Sequence, residues 1–69
     1  MVYVFKTSVK YKYQIKGIAS QLDAIAQIDN WNFDLQDCDN ILRIEAPELD
    51  TTIVCGLLNS LGYDCLELI

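Results

Sequence analysis

A chain of 69 residues holds one domain, residues 1–69, and at this length only roughly 60% of the unfolded surface is removed from water, so the core is thin. An apolar content of 52% is still enough for a compact core without disulfide or metal staples. Ten acids against five bases leave a net charge of −5, which excludes phosphate backbones and anionic membranes as default partners.

Residues 2–9, VYVFKTSV, are dense in β-branched and aromatic types and predict a strand. From Gln14 the period changes. Ile15, Ile18, Ala19, Leu22, Ile25 and Ala26 recur at three- and four-residue steps on one helical stripe, with Lys16, Ser20, Asp23 and Gln27 facing away. After the turn pair Asp29 and Asn30, WNFDLQ alternates Trp31, Phe33 and Leu35 against Asn32, Asp34 and Gln36, a strand with one wet face. DCDN supplies turn chemistry. ILRIEA is the next strand, with Leu42, Ile44 and Ala46 on one face, and Pro47 stops it. Asp50 or Thr51 caps a second helix with the stripe Ile53, Val54, Leu57, Leu58 and Leu61, and Gly62 ends it. DCLELI closes the chain as a strand.

The order β-α-β-β-α-β with short, right-handed crossovers is the split βαβ arrangement. The expected architecture is a ferredoxin-like α+β sandwich, a four-stranded antiparallel sheet with both helices on one face. In it the first strand, the second strand and the second helix all run toward one end. Lys10, Tyr11, Lys12, Tyr13, Asp37, Cys38, Asp39, Tyr63 and Asp64 should cluster there, and Cys55 should lie toward the opposite end.

Three cysteines, Cys38, Cys55 and Cys65, occur with no CxxC and no histidine. An odd count without paired spacing does not read as a disulfide framework, and the first residues lack the pattern of a secretory signal. No apolar run approaches the roughly 20 residues that span a bilayer. A cytoplasmic protein is expected.

The combined register of KTSV before the junction, Ile15, Ile18 and Leu22 after it, NWNFDL, ILRIEA, the Ile53, Leu57 and Leu58 helix and the LGYD that follows resembles the heavy-metal-associated domain family, the small copper chaperone and metal-ATPase modules. The resemblance covers essentially the whole chain. It implies a metal site made of two cysteines three apart, the first in the loop after strand one and the second at the start of helix one. In this sequence those positions are Tyr11 and Gln14. A further departure is Gln27, where the family usually ends the helix with glycine.

Two thiolates at a helix N-terminus suit soft Cu(I) or Zn(II), whereas a phenol and an uncharged carboxamide offer neither charge nor softness. No tight soft-metal binding is expected at residues 11 to 14, and no cofactor is implied. The alternative is a metal-handling protein with relocated ligands such as Cys38 and Cys65. Isolated cysteines are more often small packed hydrophobes, the reading preferred for Cys55 and Cys65. Cys38, between two acids in a turn, is the better candidate for a reactive or ligating thiol.

Lys10, Lys12 and Lys16 surround a helix N-terminus, where cations are unfavourable by about 0.3–1 kcal/mol each. Either this end captures an anionic ligand or an acidic surface of a partner, with main-chain N–H groups assisting, or Asp37, Asp39 and Asp64 neutralise the lysines locally, which is what charge runs usually do. Tyr11 and Tyr13 are either interface aromatics or cover for the end of the core, the balance falling to interaction for Tyr11 and to cover for Tyr13. Tyr63 joins this tip by position. Trp31, at a sheet edge, is expected to pack on the core, with a homodimer through the edge strand as the other reading.

An enzyme is the weakest class: there is no histidine, no serine elbow, no phosphate loop and no carboxylate pair in an acid–base pattern. Small phosphatases of this topology hold an arginine in the first loop, and Arg43 lies elsewhere. The RNA-recognition motif shares the element order but stacks bases on aromatics that ILRIEA lacks. The expectation is a non-catalytic interaction or regulatory domain.

Overall fold

A computed structural model describes residues 1–36 and 38–68. Its elements are β1 (Val2–Thr7), α1 (Lys12–Asp23), β2 (Asn30–Asp34), β3 (Ile41–Glu45), α2 (Thr51–Ser60) and β4 (Cys65–Leu68). The sheet runs β2-β3-β1-β4 with every neighbour antiparallel. This is the expected ferredoxin-like α+β topology, with β1 and β3 central and β2 and β4 at the edges.

Alternation along the strands places the helices. Phe5 and Thr7 of β1 and Leu42 and Ile44 of β3 are buried, while Lys6 and Arg43 between them and Glu45 after them are exposed; Ile41, at the start of β3, is buried as well. Phe5, Leu42 and Ile44 pack with Ile18 and Leu22 of α1 and Val54 and Leu58 of α2 in one core, so both helices cover the same face. The other face is uncovered, and Leu66 stands there beside Lys6.

Several element ends differ from the periodic reading. α1 begins at Lys12, because its first turn is polar and carries no apolar repeat to detect. It ends at Asp23, where Ala24 N–H bonds Ser20 O and Ile25 N–H bonds Leu22 O as the last turn tightens, leaving Ile25 and Ala26 beyond the helix. β1 stops at Thr7, though Val9 is still buried. β2 stops at Asp34, whose Oδ1 accepts the Gln36 N–H and turns the chain.

On α2 the buried seam is Val54 and Leu58; Ile53 is 48% and Leu61 41% exposed, contrary to the expected stripe. A narrow sheet shared by two helices covers less of each helix than the hydropathy pattern offers. Asp50 is the N-cap, accepting the Thr52 N–H at 3.1 Å. Gln27 lies with Oε1 3.4 Å from Asp50 N, joining the end of the α1 loop to the start of α2.

Candidate functional site

The end of β1 gathers three connections. Thr7, buried, donates its hydroxyl to Asn40 O at 2.7 Å and accepts the Val9 N–H at 3.2 Å. Asn40 takes the left-handed conformation, φ 50°, that lets the turn carbonyls point at β1. Ser8 N–H donates to Asp64 O at 3.1 Å, and Ser8 Oγ accepts the Asp64 N–H at 2.8 Å. Residues 7–10, the turn through Asp39 and Asn40 and the loop at Asp64 therefore meet at one end, as the topology requires. Asp37, expected there too, lies outside the described residues.

Gly62, with φ 94°, sets the far side of this end. Its N–H bonds Asn59 O at 3.0 Å and the Tyr63 N–H bonds Leu58 O at 2.9 Å, the double closure of a Schellman stop. Tyr63 is thereby turned onto the core. It is half-buried, whereas the other tip tyrosines stand in solvent.

Tyr11 is the N-cap of α1 and Gln14 its third helical residue, so both flank the helix entry. The Gln14 carboxamide is occupied locally: Oε1 accepts the Lys10 N–H at 2.8 Å and the Tyr11 N–H at 3.1 Å. This is the glutamine half of a capping box. Tyrosine cannot supply the short side-chain acceptor of the other half, and Tyr11 contributes its carbonyl to the Gln14 N–H at 3.0 Å instead.

The Tyr11 ring turns outward onto Tyr13. Their centroids are 5.5 Å apart and their planes 7° from parallel, a stacked pair. Tyr11 is 55% and Tyr13 70% exposed. The expectation that Tyr13 covers the core is corrected: on the first turn of α1 the inward direction belongs to Gln14 and Ile15, and Tyr13 faces water.

Charge at this end is sorted by pairing. Lys6 lies 3.5 Å from Asp39 and Arg43 3.7 Å from Asp34. Among the described residues no carboxylate is within ion-pair distance of Lys10, Lys12 or Lys16, all three exposed. The neutralisation expected from Asp39 and Asp64 is therefore not made: Asp39 serves Lys6, and Asp64 meets Ser8 through its main chain. The first turn of α1 also holds no acid. A shallow groove of about 380 Å³ opens beside this patch, between Lys12 and Ile15 of α1 and Phe33 and Asp34 of β2.

The cysteines are arranged otherwise than expected. Cys38 is exposed in its turn. Cys55 does not lie apart from Cys65: it faces inward from the middle of α2, and the two sulfurs are 3.3 Å apart. The thiol beside Cys65 is Cys55. Burial first, and then Cys55, push the Cys65 thiol pKa well up from its ordinary value. Among the described residues no group of three or more His, Cys, Asp or Glu is placed to hold a metal ion. Cys65 sits opposite Thr7 on the inward register of β4, and Cys55 directly follows the buried Val54.

Trp31 packs on the core. Its Nε1–H donates to Asp23 Oδ1 at 2.8 Å, and its ring meets Phe33 edge to face at 6.0 Å. Among the described residues no helix is long and apolar enough to cross a membrane. The chain matches no protein-family model, no curated protein sequence and no solved structure.

Proposed function

We propose that this chain is a non-catalytic interaction domain, similar to heavy-metal-associated domains but acting without metal through the entry to α1, and that its partner is a protein presenting an acidic segment. The observation that carries this reading is the coincidence of two features at one place. The exposed tyrosine stack of Tyr11 and Tyr13 stands among Lys10, Lys12 and Lys16, the three side-chain cations left after Lys6 and Arg43 are paired.

Physical chemistry supports both halves. Unpaired lysines at the positive end of a helix dipole work against stability, so a partner carboxylate relieves a repulsion as well as forming an attraction. Exposed tyrosines bring large apolar area and a polar tip at low entropic cost, the character of interface hot spots. The chain as a whole carries a net charge of −5, so its overall field disfavours an acidic partner and the unpaired lysines at this end are where such a partner meets attraction. At the positions the resemblance assigns to thiolates, Gln14 is occupied as a helix cap and Tyr11 as half of the stack.

The test is fluorescence anisotropy of a labelled oligoglutamate peptide at low salt. Binding is expected to weaken at least tenfold in the double variant Lys10→Glu, Lys12→Glu, to weaken in Tyr11→Ala, Tyr13→Ala, and to fall as salt is raised. Arg43→Glu, which alters one paired cation by two units of charge against four in the lysine double variant, is expected to change it far less. Equal affinity in wild type and in both double variants contradicts the proposal.

A further inference from the structure

We propose that Cys55 and Cys65 form a disulfide-forming dithiol, a redox modification site that joins α2 to β4 within one chain. The sulfurs are already 3.3 Å apart across the α2–β4 contact, and a bond at about 2.05 Å needs them to approach by only ~1.3 Å, a change within reach of side-chain rotation. Both are free thiols. The pairing is also locally enforced, because the Schellman stop at Gly62 and the paired main chains of Ser8 and Asp64 fix the path from α2 into β4.

Access is provided from one side. Cys65 lines a surface groove of about 360 Å³ together with Lys6, Ser8, Asn59, Asp64 and Leu66. A small disulfide of the glutathione class reaches the sulfur through this groove.

The oxidant is that disulfide. One protein thiol loses its proton to water and attacks a sulfur of glutathione disulfide; the S–S bond breaks, a mixed disulfide forms, and one glutathione departs as thiolate. The second protein thiol loses its proton in turn and attacks the protein-side sulfur of the mixed disulfide. The protein–glutathione bond breaks, the Cys55–Cys65 bond forms, and the second glutathione thiolate leaves. Two electrons pass to glutathione disulfide, and its two thiolates take up the two protons. The raised pKa of Cys65 makes this exchange slow near neutral pH and faster as pH rises, without changing which bond forms.

The experiment uses the full chain with Cys38→Ser, which removes the exposed thiol. The protein is equilibrated in glutathione buffers of graded oxidation, acid-quenched, alkylated with iodoacetamide and examined by intact and peptide mass spectrometry, natively and in urea. The expected product is a monomer lacking two hydrogens, with Cys55 linked to Cys65 and both protected from alkylation, reversed by reductant. Its equilibrium constant in the native state should exceed that in urea at least tenfold, because folding holds the sulfurs together. Cys55→Ser and Cys65→Ser should each stop at a glutathione adduct. A native chain that stays fully alkylated where the urea-unfolded chain is oxidised, or one that forms only bonds between molecules, overturns the proposal. The native-to-urea comparison decides even if a single-cysteine variant fails to fold.

Discussion

Gln14 closes the start of α1 on Lys10: its Oε1 lies 2.8 Å from the Lys10 main-chain nitrogen, and 3.1 Å from that of Tyr11. At a helix entry the main-chain donors are short of partners, and a side-chain acceptor there adds stability. Gln14→Ala is expected to lower stability by about 0.5–2 kcal/mol, the usual scale for loss of a cap. In a domain this small each kcal/mol is about 4–8 °C in melting temperature. Gln14→Glu keeps the acceptor and adds a charge favoured at that helix end, so it should hold or raise the melting temperature. Circular-dichroism melts of the two variants check both signs.

Tyr11 and Tyr13 should behave in the opposite way. Their rings stand in solvent and stack on each other rather than on the core, so Tyr13→Ala is expected to shift stability by no more than about 0.5 kcal/mol. Urea denaturation separates the two kinds of residue. A loss of several kcal/mol at Tyr13 would mean that it covers the core after all.

Within α2 two large aliphatic residues predict different costs. Leu58 is fully buried, and Leu58→Ala should cost about 2–5 kcal/mol, enough to unfold a marginal domain. Ile53 is 48% exposed, and Ile53→Ala should cost less than half as much. Paired urea titrations would show whether the seam of the helix is where the burial places it.

The Cys65 thiol gives a pH dependence of definite sign. Its folded pKa is raised, so from about pH 8.5 upward the unfolded chain releases a proton that the folded chain keeps. Stability is therefore unaffected by this group at lower pH and falls as pH rises above that point. Under reducing conditions, wild type should lose more melting temperature between pH 8 and pH 10 than Cys65→Ala does. Parallel curves for the two proteins would show that Cys65 ionises in the folded state as readily as in the unfolded one.

The element order and sheet topology were legible because strand alternation and helical periodicity are properties of runs of residues, and Trp31, Phe33, Leu42 and Ile44 obey them. What was not legible depends on single side chains at element ends. Gln14 lacks the serine or threonine partner that marks a capping box, so its cap could be seen only in place. Tyr13 is apolar enough to read as cover, and only the rotation of α1 puts it in water. Ile53 and Leu61 fit the stripe of α2 by spacing, but the sheet beneath is too narrow to reach them. Cys55 and Cys65 are ten residues apart on different elements, and their meeting depends on how α2 packs against β4.

The central claim, that the basic tyrosine tip at the entry to α1 receives an acidic segment, is tested most directly by titrating the isotopically labelled chain with an oligoglutamate peptide and following each amide by NMR. Saturable, salt-sensitive shifts centred on Lys10, Tyr11, Lys12 and Tyr13 are expected, with the amides of the exposed β4 edge unchanged. Shifts that leave residues 10 to 13 unmoved, or that appear with equal size over the acidic remainder of the surface, would contradict it.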